Sequence, residues 1–422
     1  MTPPPPTAQP ALPSALEATF ALDDEQRAAI AHEDGPLLIV AGAGTGKTTV
    51  IARRIAHLIE TRRARPSEIL ALTFNDKAAV EMQERVDLLV PYGFADVTVA
   101  TFHSFGEDVL SGHGLEIGIA PGFTILDKTA QALFLAERLE QLHLVRYAPL
   151  SDPTRYLAEL AGYFDRAKDE PYRPDEIRRA ADRYRDADDP ALRDRAEREL
   201  ELADAYETYN RMLWKAGFVD FGDLLALTLR LFEESPATLR HFQDRYRYLL
   251  VDEFQDTNPV QFKIVRRLAE RHRNLVVVGD DDQSIYRFRG AKVTNLMAFL
   301  AAYPGAKEVL LVRNYRSRQN LLDCAHQLIR NNDPDRLEAR RGYDKRLIAA
   351  AEGLGTLERL EFATATEEAD AVARRIAEEV AAGRRRPGDF AILARAHDHL
   401  IPFLGALKAH GLPFHLTGNK GL

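Results

Sequence analysis

The sequence predicts an α/β fold: a parallel sheet covered by helices, broken by a long helical insertion and followed by a second, incomplete α/β unit. Three observations carry this. Short apolar runs alternate with helical stretches at the start. A charged, strand-poor stretch then intervenes, after which apolar strands return. A second alternation begins near residue 309 and stops at Leu422.

Residues 1–18 are rich in Pro and Ala, with four prolines at Pro3–Pro6. They offer little to bury, so a disordered tail is expected. Leu37–Val40 is an apolar run ending in glycines, with a helical stretch from Lys47. Ile69–Thr73 reads as a second strand, followed by a helix through Ala78–Leu89, and Val97–Ala100 as a third. Residues 127–245 are mostly charged, with Arg, Asp and Glu at helical spacing as in Ala191–Glu207. Those charges read as solvated helix faces with local ion pairs rather than a nucleic-acid stripe. Tyr248–Val251 and Leu275–Val278 resume the first sheet. The second unit reads as strand Val309–Val312, helix 318–330, strand Thr356–Phe362, helix 367–382, strand Asp389–Leu393, helix 398–409 and strand Pro413–Leu416. The expected organisation is a first α/β domain at 19–105 and 246–308, a helical insertion at 106–245, and a partial second domain at 309–422. An α/β unit that stops in mid-sheet predicts a fragment of a longer protein.

The chain has 422 residues, 45% hydrophobic and 28% charged, ordinary for a globular protein with a sizeable core. The single cysteine, Cys324, allows no intrachain disulfide and fits a reducing cytosol. No charged-then-apolar leader opens the chain. The longest apolar runs are too short to cross a bilayer, so no membrane role is expected. A net charge of −8 decides nothing about nucleic acid, because a groove can be basic on an acidic molecule.

The segment AGAGTGKT, Ala41–Thr48, places a Gly-rich loop between a strand and a helix. Gly42, Gly44 and Gly46, with Ala43 and Thr45 between them, let backbone N–H groups turn toward phosphate oxygens at a helix N-terminus. Lys47 suits the β/γ-phosphates of ATP and Thr48 suits Mg²⁺. The apolar strand Tyr248–Val251 ends in Asp252 and Glu253. Such a pair is often only a strand exit or a helix cap. Beside a phosphate loop it suits metal coordination by Asp252 and water activation by Glu253. Gln283 follows another apolar strand, where its amide can hold water or a phosphate oxygen, or sit in a polar turn. Arg316 can reach across a cleft to stabilise transferred charge, or be an ordinary surface arginine.

Together these segments resemble the UvrD/Rep family of superfamily 1 helicases. LDDEQRAAI resembles the Q motif, with Gln26 placed to read adenine. AGAGTGKT matches motif I, and the family accepts Ala at Ala41. ALTFNDKAAVEM, ATFHSF, LLVDEFQDTN, VVVGDDDQSIYRFRGA and LVRNYRS resemble motifs Ia, Ib, II, III and IV in order, and VDFGDLL resembles the segment before motif II. The resemblance implies two RecA-like motor domains with ATP between them and 3′→5′ movement on DNA. It implies Lys47 and Thr48 on phosphate and Mg²⁺, Asp252 on the metal, Glu253 on water, Gln283 as γ-phosphate sensor, Arg316 as arginine finger and Tyr315 near the base. Phe74, Asn75, Thr101, Phe102, His103, Tyr286, Phe288 and Arg289 are implied to face single-stranded DNA.

Those DNA roles rest physically on aromatic stacking and phosphate contacts, while core packing is the usual fate of a lone Phe. His103 lacks neighbours at metal-ligand spacing. Thr49 stands where many members carry an adenine-stacking Arg, and Phe288 where many carry Trp. Motifs V and VI are absent, so residues 1–422 alone are not expected to unwind DNA. The implied partners are single-stranded DNA, single-strand/duplex junctions and repair or recombination proteins. Two other readings are a motor or DNA-binding subunit of a helicase–nuclease complex and an unrelated phosphate-loop enzyme such as a nucleotide kinase.

Overall fold

Strand β1, Leu37–Ala41, is apolar at every position and buried at every position, as a central parallel strand covered on both faces must be. β2, Ile69–Thr73, is likewise buried at every position and apolar up to its last residue, Thr73. β3 is Thr98–Thr101. The computed structural model describes residues 22–90, 96–149, 151–285 and 295–417; the expected disordered tail, 1–18, lies outside them. Short strands β4, Thr124–Leu126, and β5, Phe218–Asp220, pair with each other. The main sheet resumes with β6, Tyr248–Val251, and β7, Leu275–Gly279, and gains β8, Lys307–Leu311.

These six strands run parallel in the order β3-β2-β6-β7-β1-β8. Side chains alternate between two cores. Leu38, Val40, Leu70, Leu72, Leu249 and Val251 face one, with helices Phe102–His113, Phe221–Glu234 and Pro259–Ala269. Leu37, Ile39, Ile69, Ala71, Leu250 and Val278 face the other, with helices Lys47–Glu60 and Asp76–Leu89. Arg54 lies fully buried on that second face. It donates to the carbonyls of Ala29, Ile30 and His32, closing the end of helix Asp24–Ile30. Burial lowers its pKa to about 10.

Two expectations about domains need correction. The strand expected to open the second unit, Val309–Val312, is mostly β8 and pairs with β1 in the first sheet, Ile39 opposite Val309. A short apolar strand carries no mark of which sheet will accept it, and the open edge of β1 accepts this one. The helical insertion is also narrower than 106–245. Its own core runs from Leu126 to Phe218, through helices Lys128–Glu137, Leu157–Asp169 and Pro190–Lys215. Val109, Leu224, Phe232 and Phe242 belong to the sheet's core instead.

Within the insertion, Lys168 is fully buried between Asp220 at 2.6 Å and Asp223 at 2.7 Å. Tyr209 and Trp214 donate to the same two carboxylates. The VDFGDLL segment therefore serves a buried ion network. The chain after β8 forms β9, Arg313–Asn314, the helix Gln319–Ile329 and β10, Ile348–Ala349, which pairs with β9.

Residues 356–422 form a separate compact unit. Its helices Ala365–Ala381 and Ile401–Ala409 match expectation and share Ala373, Ile376 and Leu407 as core. The strands expected at Thr356–Phe362, Asp389–Leu393 and Pro413–Leu416 form no ladder among the described residues. Leu357, Leu360 and Leu393 are exposed there. A strand exists only against a hydrogen-bonded neighbour, and none stands beside these segments among the described residues.

Candidate nucleotide site at the carboxyl ends of the strands

Loops leaving the carboxyl ends of β1, β6 and β7 converge, the usual ligand crevice of an open parallel sheet. The loop after β1 turns through Gly44 at φ +76° and Gly46 at φ +86°, a region where a Cβ is disfavoured. Thr45 pins it with a hydroxyl donated to the Gly42 carbonyl at 2.8 Å. Gly46 opens helix Lys47–Glu60 with no side-chain cap, so no side chain covers the helix's first N–H groups. Gln26 donates to the Thr45 carbonyl at 3.0 Å, and its amide oxygen accepts the Asp23 N–H. The Q segment is thereby tied to the loop.

The Lys47 ammonium stands 2.7 Å from a Glu253 carboxylate oxygen and 3.4 Å from the Gln283 amide oxygen. Three residues from three loops thus meet. Glu253 has left-handed backbone, φ +48°, which is uncommon for a residue with a side chain. Its carboxylate also accepts from Gln255, whose amide oxygen in turn accepts the Asp280 N–H. Asp252 is buried beside it; burial and the neighbouring Glu253 charge push its pKa to about 6. The nearby charges of Lys47 and Arg85 pull the other way without offsetting its burial. With Thr48 on the first turn of the helix, the oxygen donors fit a hard divalent cation.

The segment after β8 closes over the loop. Asn314 donates to the Ala43 carbonyl at 2.6 Å, and the Tyr315 N–H to the Gly44 carbonyl at 2.9 Å. A Cβ on Gly44 would lie 2.8 Å from the Arg316 Cβ. Tyr315 is exposed, with its hydroxyl on Asp23 at 3.0 Å, and Arg316 is exposed. Gln26, Ala41–Thr48, Asp252, Glu253, Gln283, Tyr315 and Arg316 are therefore neighbours around one loop. Thr49 accepts from Arg85 at 3.1 Å. A guanidinium from a different helix thus stands beside the position where the related motif carries an arginine. Nothing in the local sequence signals Arg85, because the contact spans two helices.

The residues implied to face DNA divide. Phe74 is half-buried and Asn75 exposed; Asn75 caps helix Asp76–Leu89 by accepting the Ala78 N–H. Thr101 is buried and caps helix Phe102–His113 through Ser104. Phe102 is a correction: it is 4% exposed, inside the main core, and its ring has no face left for a base. A strand-to-helix junction buries its first apolar residue, and the motif's residue types do not reveal that. His103 is half-buried and packs edge-on against Phe221, with burial lowering its pKa. Tyr286, Phe288 and Arg289 lie outside the described residues. No helix among the described residues is long and apolar enough to cross a membrane.

Comparison with known proteins identifies relatives over most of the chain. The UvrD/REP helicase N-terminal domain matches residues 22–304, and the UvrD-like helicase C-terminal domain matches 309–422. The ATP-dependent DNA helicase PcrA of Leuconostoc citreum is 40% identical over 317 residues, covering 75% of this chain and 40% of that protein. PcrA of Bacillus subtilis is 39% identical over 312 residues, covering 74% and 40%. PcrA of Staphylococcus epidermidis is 33% identical over 400 residues, covering 94% and 51%. The chain spans about half the length, or less, of these relatives.

Proposed function

The chain belongs to the UvrD/Rep helicase family, and from that premise we propose that it is the ATP-hydrolysing part of a 3′→5′ DNA translocase and helicase. One observation carries the reading: Lys47, Glu253 and Gln283, from the ends of three strands, meet within hydrogen-bond reach beside an uncapped helix N-terminus. That arrangement suits in-line attack of water on a γ-phosphate.

The loop's N–H groups and Lys47 bind the phosphates of ATP, exchanging Lys47's present partner Glu253 for the substrate. Thr48 and Asp252 would hold Mg²⁺, which when bound would supply positive charge against the phosphates. Glu253 takes the proton of the attacking water, held in place by Gln255. Gln283 reads the γ-phosphate position. Arg316, beside Gly44, stabilises charge on the transferred group, and Tyr315 packs near the base. Gln26 links base recognition to the loop through Thr45.

Phe74, Asn75 and His103 contribute to a single-stranded DNA track together with Tyr286, Phe288 and Arg289. Stacking on aromatic faces grips without reading sequence. The substrate is single-stranded DNA and its junctions with duplex, and the setting is DNA repair, replication or recombination in the cytoplasm. The test is ATP turnover of the full-length protein with and without single-stranded DNA. Stimulation by DNA that is lost in Lys47→Ala and in Glu253→Gln is expected. Normal stimulated turnover in either variant overturns the assignment.

A further inference from the structure

Asp280, Asp281 and Asp282 are consecutive, and their carboxylate oxygens lie within 4.8 Å of one another. Three like charges so close repel strongly away from bulk water. Two cations from the segment after the helix Gln319–Ile329 balance them. The Lys345 ammonium stands 2.7 Å from Asp280, 2.5 Å from Asp281 and 3.0 Å from Asp282. Arg336 grips Asp282 with two parallel bonds, 2.7 and 2.8 Å. The Leu337 N–H donates to Asp281 at 2.6 Å. Lys345 and Arg336 are 8% and 3% exposed, so this is an interior structure and not a surface ion pair.

Asp280 is the pivot. One of its oxygens accepts from Lys345, and the other accepts from the Gln283 amide nitrogen at 2.7 Å. The Gln283 N–H also donates to the Asp280 carbonyl. With its nitrogen committed to Asp280, Gln283 turns its amide oxygen to the Lys47 ammonium. The reversed amide would set donors against an ammonium and an oxygen against a carboxylate, so the two charged neighbours fix its orientation. The same segment also seats Leu347 against the phosphate loop. A Cβ on Gly42 would lie 2.7 Å from the Leu347 side chain.

We propose that Lys345 is a positioning residue for Gln283: it holds Asp280 so that Gln283 presents its amide oxygen, an acceptor, toward the γ-phosphate position. Resting on the ATP-hydrolysis reading, this gives Gln283 a definite task. Once Lys47 moves to phosphate, the oxygen it leaves accepts a hydrogen bond from the attacking water beside Glu253. Lys345 touches neither substrate nor water. It acts only through Asp280 and Gln283.

The test is a double-mutant cycle in the full-length protein, read as kcat and KM for ATP with saturating single-stranded DNA. Lys345→Met should lower kcat about tenfold or more with KM for ATP changed less than about threefold. In a Gln283→Ala background the same substitution should change kcat by less than about twofold, because its route is already cut. An equal loss in both backgrounds, or no loss in the wild-type background, overturns the proposal. If Lys345→Met fails to fold, the pair Lys345→Met with Asp281→Asn keeps the buried net charge unchanged, and the same Gln283 dependence is expected. Wild type without DNA-stimulated turnover overturns this proposal together with the functional reading. DNA-stimulated turnover that is insensitive to Lys345 overturns this proposal alone.

Discussion

The ammonium of Lys47 and the carboxylate of Glu253 are paired at 2.7 Å. On the proposed reading the phosphate-binding cation and the group that activates water hold each other, and nucleotide must break this pair to engage Lys47. Glu253→Gln weakens the pair and removes the base. It is expected to bind a non-hydrolysable ATP analogue at least as tightly as wild type, while turnover falls about a hundredfold or more. Lys47→Ala is expected to lose both. Fluorescent-nucleotide titration beside steady-state turnover separates the two variants. Weaker analogue binding by Glu253→Gln would show that Glu253 does not compete for Lys47.

Lys168 sits between Asp220 and Asp223 with all three side chains buried. Its charge holds Asp220 below the ordinary carboxylate range, while burial and Asp220 push Asp223 to about 6. Lys168→Met leaves two carboxylates inside the protein without a counter-charge, and should cost about 3–5 kcal/mol in urea unfolding. Lys128, paired with Asp165 at the surface, serves as the control: Lys128→Ala is expected to leave the midpoint unchanged.

Asp169 links the insertion to the segment after β6, accepting from the Asn258 amide at 2.7 Å. Burial and the nearby Asp165 raise its pKa to about 7. The sign follows from linkage: the folded state holds this proton more tightly than the unfolded chain. Asp169 therefore costs stability increasingly as pH rises from the ordinary carboxylate value, about 4, to about 7. Asp169→Asn keeps an acceptor for Asn258 and removes the titration. Its thermal midpoint should exceed that of wild type by more at pH 8 than at pH 5. An equal difference at both pH values would rule out Asp169 as the cause.

The cluster around the phosphate-loop segment was legible because each of its parts is local in sequence: an apolar strand, then glycines and Lys47, or an apolar strand, then Asp252 and Glu253. The sheet was legible for the same reason. What escaped depends on partners distant in the chain. Lys168, Arg54, Arg336 and Lys345 look like surface charges in a sequence, since nothing beside them announces burial or a counter-charge. Arg85 reaches Thr49 from another helix. The destination of β8 escaped because a five-residue apolar strand fits any open edge. Phe102 escaped because stacking and packing call for the same side chain.

Phe74 and Phe102 come from neighbouring strand ends, and their burial separates what their motifs imply. Phe102 lies in the main core with Val109 and Leu224. Phe102→Ala opens a cavity there and should cost about 3–5 kcal/mol of stability, with any loss of DNA binding tracking the unfolded fraction. Phe74 is half-buried where β2 ends, beside the exposed Asn75. Phe74→Ala should weaken single-stranded DNA binding by about 1–3 kcal/mol, the range for one base–aromatic stack, with a smaller effect on the unfolding midpoint than Phe102→Ala. Both are read in the full-length protein by anisotropy with a labelled oligonucleotide and by urea unfolding. Because stacking does not read sequence, the Phe74→Ala loss should be similar on oligonucleotides of different base composition. A DNA-binding loss in folded Phe102→Ala equal to that of Phe74→Ala would show that Phe102 leaves the core to meet the strand.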